Sequence, residues 1–313
     1  MQAVVVDRFG GPDVLTLRDI PVPEPGPGQV RVKVVGAGIN PVDTYNRGDG
    51  SWAGLSAPCI LGYDIAGTVD AVGIGVPADR LGDSVMVMTR FPRGGGGYAE
   101  FAVVDDELVA TVDPAVDLVA AASVPLAAGT AAEVLRLLQP AGDSMLVLGA
   151  SGGVGLFLLQ LAAAEGIRTI GVGRERNHSV MTSFGAAGCV DYRSSGAIAE
   201  AARLAGGAFD SIADLVGGPL MRSSQPYLRQ DGVIAAIATP ELDLDQIIDA
   251  NQVFHGVLIR DDGKRVRRLA SQFSSGRLRT HVTHVLPLSQ VAEAHRLVDS
   301  GEAGGKVVLT PGR

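Results

Sequence analysis

The residues of this 313-residue chain with the most definite chemistry are a run of glycines, Gly149-Ala-Ser-Gly-Gly-Val-Gly155, set between two apolar runs. Glycine lets a backbone turn through left-handed conformations and come close to a ligand. A helix starting after such a turn would aim its unpaired N–H groups at a pyrophosphate, with Ser151 as a phosphate contact. The pattern is A-x-G-x-x-G, because Ala150 stands where the strict dinucleotide signature has its first Gly; the strand-like runs on either side carry the assignment. Nineteen residues after Gly155, the second run ends in Gly173-Arg174-Glu175-Arg176-Asn177. An acid at that strand end binds free ribose hydroxyls, whereas a base accepts a 2′-phosphate. Guanidinium groups pair bidentately with phosphate, so Arg174 and Arg176 predict NADPH in preference to NADH, with Glu175 as the competing acid.

Other reactive side chains point to less. His281 and His284 lie three apart in a strand-like run, which puts them on opposite faces and argues against a shared metal. Cys59 and Cys189 have no Cys or His neighbour at metal-ligand spacing, so no zinc site is expected and both read as small buried hydrophobes. Ser144 and Ser151 lack the G-x-S-x-G context of a nucleophile. A net charge of -8 and a pI near 5.1 argue against a nucleic-acid surface. The basic stretch Lys264 to Arg268 adjoins Asp261 and Asp262 at helical spacing and reads as a solvated helix face.

These residues need elements to hold them. Length allows about two domains. Short β-rich runs at Ala3 to Val6, Leu15 to Arg18, Val30 to Val35, Ala66 to Val72, Ser84 to Met88, Tyr98 to Val104 and Glu107 to Val112, broken by Gly and Pro, predict an antiparallel, partly barrel-like β domain. After Asp113-Pro114 the pattern changes. Asp117 to Ser123 and Thr130 to Leu138 read as helices. Strands then alternate with helices: Met145 to Leu148, Arg168 to Gly173, Gly188 to Tyr192, Asp210 to Val216 and Gly232 to Ala238. Alternation of this kind predicts a doubly wound parallel sheet with ligands outside the carboxyl ends of its strands. Those ends carry Gly149-Ala-Ser, Gly173-Arg-Glu-Arg, Asp191-Tyr-Arg, Val216-Gly-Gly and Ala238-Thr-Pro.

Phe254 to Arg260 reads as one more strand, followed by a helix from Gly263 to Ser275, a strand at His281 to Leu286, a helix at Ser289 to Asp299 and a last strand at Lys306 to Leu309. The residues alone leave open whether this tail closes the first domain or extends the second. The expected division is 1–115 with 261–313, and 116–260. From Ser144 to Ala164 no residue is charged, but four glycines interrupt that window, so a membrane span is not expected. The start of the chain lacks a secretory pattern, and a reducing cytoplasm is the expected compartment.

Taken together, several motifs resemble the medium-chain dehydrogenase/reductase superfamily, in its zinc-free quinone oxidoreductase (ζ-crystallin-like) branch. They are Gly38-Ile-Asn-Pro-Val-Asp-Thr-Tyr45, Pro58-Cys-Ile-Leu-Gly-Tyr-Asp-Ile-Ala-Gly67, Gly82-Asp-Ser-Val85, Gly96-Gly-Tyr-Ala-Glu-Phe101, Pro125-Leu-Ala-Ala-Gly-Thr-Ala131, the glycine turn, Gly185-Ala186 through Asp191-Tyr192, and Gly305-Lys-Val-Val-Leu309. The resemblance spans nearly the whole chain and implies a Rossmann domain beside a GroES-like β-barrel domain. Zinc-dependent relatives have a Cys near the place of Asn40 and a Gly-His-Glu where Gly62-Tyr63-Asp64 falls. The resemblance thus implies reduction without a metal.

It also implies site residues. Asn40 and Tyr45 would border the active site, Asn40 near the nicotinamide as a positioning amide and Tyr45 as a phenol able to donate a proton. Thr130 and Gly152-Gly153-Val154 would hold the nicotinamide and pyrophosphate. Gly173, Arg174, Asn177 and Tyr192 would surround the adenosine phosphate, with Arg176 beside them and Val216 and Ala238 at neighbouring strand ends. Several relatives have a Lys at the place of Asn177, and Arg174 and Arg176 would substitute for it here. An active-site Tyr of some quinone reductases corresponds to Ser51 or Trp52.

The function so implied is NADPH-dependent hydride transfer to a quinone or an α,β-unsaturated carbonyl compound. Two rivals stand beside it: enoyl-thioester reduction on the same fold, and an NADPH-binding sensor or structural protein without turnover. The apolar strand Phe254 to Arg260, placed at a sheet edge, predicts a homodimer by pairing with its twin.

Overall fold

The computed structural model describes residues 1–312. Among them the chain divides into two compact units, Met1–Gly129 with Arg260–Arg313, and Thr130–Ile259.

The first unit opens with β1 (Gln2–Val6) and β2 (Leu15–Asp19), an antiparallel pair. There follow β3 (Gln29–Ile39), α1 (Pro41–Gly48), β4 (Asp64–Val72), β5 (Ser84–Met88), β6 (Phe101–Asp105), β7 (Val109–Thr111) and α2 (Leu118–Ala121). Next comes α3 (Pro125–Leu138), which begins in this unit and continues in the second.

The second unit carries β8 (Ser144–Leu148), α4 (Gly153–Ala164), β9 (Arg168–Gly173), α5 (His178–Ser183), β10 (Gly188–Asp191), α6 (Ala197–Ala205), β11 (Phe209–Asp214), α7 (Pro219–Ser224), β12 (Leu228–Ala236), α8 (Leu244–Asp249) and β13 (Val253–Gly256). The chain then returns to the first unit with α9 (Gly263–Ser274), β14 (Val282–Pro287), α10 (Val291–Asp299) and β15 (Lys306–Thr310).

In the first unit the sheet order is β14-β15-β3-β4-β5-β7, with β6 also on β3. Every pairing in it is antiparallel except β14 with β15. Alternating valines and isoleucines of β3, β4 and β5, such as Val32, Ile65 and Val87, fill its core together with Leu309 of the last strand. The tail therefore closes the first unit. The expected boundary at residue 115 moves to 129, because α2 packs on β3: a Cβ at Gly38 would lie 2.3 Å from the Ala122 carbonyl oxygen. The expected split between residues 260 and 261 falls between 259 and 260.

In the second unit six parallel strands run in the order β10-β9-β8-β11-β12-β13. Chain order reverses between β8 and β11, the switch point at which open α/β sheets bind ligands outside the strand ends. Leu146, Leu148, Ile170, Val172, Ile212 and Ile234 form its core. Leu156, Phe157, Leu158 and Leu159 of α4 are all buried, as expected of a helix that is apolar all round. Among the described residues no helix is long and apolar enough to cross a membrane.

Several expected elements change their bounds, among them the helix expected at Thr130, which begins at Pro125, and three strands. β12 begins at Leu228 rather than Gly232, because Leu228 pairs with Phe209 ahead of a register shift. β13 stops at Gly256 rather than Arg260, since its partner β12 ends at Ala236. Glu107 to Val112 divides into a 3-10 turn, Asp106–Leu108, and the three residues of β7.

Candidate active site

The glycine turn follows β8 directly. Gly149 has φ +79, and a Cβ there would lie 2.6 Å from Val216 Cγ1, so only glycine fits. The N–H groups of Gly149 and Ala150 donate to the Val172 carbonyl at 3.2 and 3.1 Å, which ties the turn to β9. A Cβ at Gly155 would meet the carbonyl oxygens of Gly149 and Ala150 at 2.5 Å, so the first turn of α4 is pressed onto the loop. Gly152 caps α4 without any side-chain hydrogen bond, leaving the N–H groups of the helix start for an anion. Ser151 Oγ lies 3.2 Å from the position a Cβ would take on Gly173, at the end of β9.

The neighbouring strand ends gather the charged residues. Arg174 Nε donates to the Tyr192 hydroxyl at 3.2 Å. Glu175 gives its backbone N–H to Asp191 Oδ2 at 3.0 Å. Asp191 is in turn clasped by Arg193 at 2.6 Å, and those hydrogen bonds hold its carboxyl well below the usual range. The carboxylate in this corner is thus already paired, and Arg193 joins Arg174 and Arg176 as a third guanidinium. Arg176 and Tyr192 are exposed, while Asn177 and Arg174 are partly buried. Val216 is exposed beside the glycine turn, Ala238 lies two residues beyond β12, and Thr130 is buried in α3.

One residue in this unit escaped the motif reading. Asp214, buried at the end of β11, accepts from the N–H groups of Val216 and Gly217 at 3.1 and 2.9 Å. Burial pushes its carboxyl up, against those two bonds. It shapes the loop that presents Val216 to the glycine turn. The signal was present: an acid at the end of an apolar strand, directly before Leu-Val-Gly-Gly.

In the first unit, Asn40 and Tyr45 part company. Pro41 at the first helical position and a capping box start α1 at Asn40: the Asn40 N–H donates to Asp43 Oδ2 at 2.8 Å. Helical spacing then turns Tyr45 outward, where it is 69% exposed, while Asn40 is 2% exposed. Tyr45 therefore sits on the solvent face of α1, away from buried Asn40.

Asn40 lies in a buried polar chain. Lys306 Nζ donates to Asn40 Oδ1 at 2.5 Å and to the Ile39 carbonyl at 3.0 Å. Asn40 Nδ2 donates to Asp64 Oδ2 at 2.9 Å, and Asp64 Oδ1 accepts the Leu126 N–H at 2.8 Å. Burial pushes Asp43 up to about 7 and Asp64 up to about 6, with Lys306 pulling both the other way. Burial lowers Lys306, opposed by the two carboxylates. A lone Lys in the apolar run Val-Val-Leu was the available signal for this partner.

A second buried group adjoins it. Tyr98 packs edge-on against His295 with ring centroids 5.6 Å apart. Arg47 Nη1 stands 3.3 Å from His295 Nδ1 and Nη2 stands 3.0 Å from Asp299. Because a guanidinium only donates, Nδ1 is the acceptor and the ring proton sits on Nε2. Burial and Arg47 push His295 down to about 3. Cys59 and Cys189 are partly buried and unpaired, rather than fully buried. Among the described residues no group of three or more His, Cys, Asp and Glu converges as for a metal.

Comparison with known proteins agrees with both units. Residues 26–114 match the alcohol dehydrogenase GroES-like domain, and residues 184–309 match the zinc-binding dehydrogenase domain. The quinone oxidoreductase of Homo sapiens is 32% identical over 99% of this chain and 97% of its own length. The chloroplastic NADPH-dependent alkenal/one oxidoreductase of Arabidopsis thaliana is 30% identical over 99% of this chain and 80% of its own. A mycobacterial protein solved in complex with NADPH superimposes with a TM-score of 0.86 at 30% identity, covering 99% of this chain and 100% of that one. The chain, an oxidoreductase by descent, belongs to the medium-chain dehydrogenase/reductase superfamily and within it to the ζ-crystallin-like quinone oxidoreductases.

Proposed function

We propose that the protein is an NADPH-dependent, zinc-independent oxidoreductase that passes hydride to a quinone or an α,β-unsaturated carbonyl compound. The observation that carries this reading is the convergence, at the carboxyl ends of β8 and β9, of an uncapped helix start, a glycine turn with no room for a Cβ, and Arg174 on Tyr192. That cradle fits a dinucleotide: Ser151, Gly152, Gly153 and Val154 suit the pyrophosphate, and Arg174 and Arg176 suit a 2′-phosphate. Glu175 is exposed, and the one strand-end carboxylate near it, Asp191, is neutralised by Arg193, which favours NADPH over NADH. The Arabidopsis relative named as NADPH-dependent and the mycobacterial NADPH complex support the same cofactor.

Bound NADPH supplies the hydride, and the chain supplies orientation and a proton. Asn40 is the positioning amide and the exposed Tyr45 hydroxyl the candidate proton donor. The donor set does not fit zinc. Where relatives would offer ligands, both Asp64 oxygens accept hydrogen bonds, the Tyr63 hydroxyl is engaged with Asn46 and Pro92, and the Lys306 ammonium shares the cluster. A divalent ion would be set against that ammonium. Acceptors already electrophilic at carbon or oxygen are therefore the substrates.

The test is NADPH oxidation over a panel of quinones and enones, before and after dialysis against a chelator. Turnover untouched by chelation is expected, and Arg174→Ala should raise the KM for NADPH while leaving that for NADH nearly unchanged. Tyr45→Phe should lower kcat about tenfold, at the low end for a general acid because water competes. Tight NADPH binding with no acceptor consumed would overturn the enzyme reading in favour of a sensor.

A further inference from the structure

We propose that Lys306 is a positioning residue for the hydride transfer: its buried ammonium, acting with Asp64, locks the carboxamide of Asn40 in one orientation. The inference rests on the oxidoreductase reading above. A carboxamide is nearly symmetric in shape, so its neighbours decide which end is oxygen. Here the neighbours are of opposite kinds. An ammonium has three donors and no acceptor, and an ionised carboxylate has only acceptors. With Lys306 Nζ at 2.5 Å from Oδ1 and Asp64 Oδ2 at 2.9 Å from Nδ2, both contacts are satisfied. A flipped amide would set NH2 against the ammonium and oxygen against the carboxylate.

The lock is itself anchored to backbone. Lys306 donates to the Ile39 carbonyl at 3.0 Å, and Asp64 takes the Leu126 N–H at 2.8 Å. It therefore joins β15, the β3–α1 junction, β4 and the start of α3. All three side chains are at most 5% exposed. Taking an ammonium out of water is costly, and removing it alone would leave the buried Asp64 carboxylate without its counter-charge, so its loss lowers the thermal midpoint as well as freeing the amide, and kcat reads the second effect.

The charged and titratable groups around the lock are Asp43 on α1, Asp64 on β4 and Tyr98 ahead of β6, with Arg47 acting on Tyr98 from α1. Removing the ammonium takes away a positive charge that favours ionised Asp43 and Asp64, so any turnover step that follows them should move to higher pH.

The experiment compares wild type, Lys306→Met and Asp64→Asn on the full chain. It measures kcat and KM for a quinone acceptor, NADPH affinity by fluorescence titration, the thermal midpoint, and kcat against pH. The expected result for Lys306→Met is a folded protein with NADPH affinity within about twofold, kcat at least about tenfold lower, and acceptor KM little changed, the pattern of an interaction realised in the transition state. Its kcat–pH inflection should move upward. Asp64→Asn should lose kcat to a similar degree, and it carries the test alone if Lys306→Met does not fold. A folded Lys306→Met with unchanged kcat and pH profile overturns the proposal while wild-type turnover keeps the oxidoreductase reading. A wild type inert on every acceptor overturns both.

Discussion

Asn40, expected at the active site from the family resemblance, becomes part of one device with Asp43, Asp64 and Lys306 once the four are buried together. Their titration should be visible in stability. Asp43 and Asp64 have folded-state values raised to about 7 and about 6, so the folded form binds protons that the unfolded chain releases nearer pH 4. Their contribution is fully present below that lower value and is lost as pH rises to about 7. His295 acts in the opposite sense. Lowered to about 3, it contributes stability that is present above its ordinary value and is lost as pH falls below about 6.5. Thermal midpoints measured from pH 5 to 8 should therefore decline less steeply towards alkaline pH in Asp43→Asn than in wild type. They should decline less steeply towards acid in His295→Gln. Each group changes the slope by about 1.4 kcal/mol per pH unit while it titrates.

The glycine turn is the element on which the second unit depends. At Gly149 an alanine would suffer twice, from φ +79 and from a Cβ 2.6 Å from Val216. Gly149→Ala should cost about 1–3 kcal/mol of stability, the range for a strained backbone residue. It should also weaken NADPH binding by displacing the start of α4. Chemical denaturation and fluorescence titration measure the two effects; an unchanged midpoint with unchanged affinity would show that the turn tolerates the methyl group. The strand β13 illustrates the opposite dependence. Its apolar run suggested seven residues, but a strand lasts only while a partner strand lies beside it, and β12 ends first. The helix α1 is legible in outline from Asn-Pro-x-Asp, a capping box with Pro at its first position. Which of its faces is buried is not.

At the scale of the whole molecule, the second sheet ends at β13, which has an unpaired edge. Val253 and Phe254 on that strand are exposed, as is Leu258 just beyond it. Open edges with apolar cover pair with other chains. A homodimer through this edge is the expected state, and Phe254→Glu should yield monomer by light scattering at micromolar concentration. A wild-type monomer under those conditions would remove the interface.

The architecture, the glycine turn after β8 and the placing of Arg174 and Arg176 beyond β9 were readable from the chain itself, because each depends on local spacing: period-two and helical patterns, Gly at tight turns, and Arg at a strand end. The family likeness added the remaining residues proposed to hold the nucleotide. Tertiary structure alone decided what depends on residues far apart. Lys306 reaches Asn40 across 266 positions only because the tail returns to pair with β3. The domain boundary moved to Gly129 because α2 packs on that same strand. Arg193 pairs with Asp191 at the end of β10, an ion pair that the sequence reading did not foresee. Local pattern determines which elements form; burial and long-range pairing determine which side chains meet, and so what the chemistry at Asn40 can be.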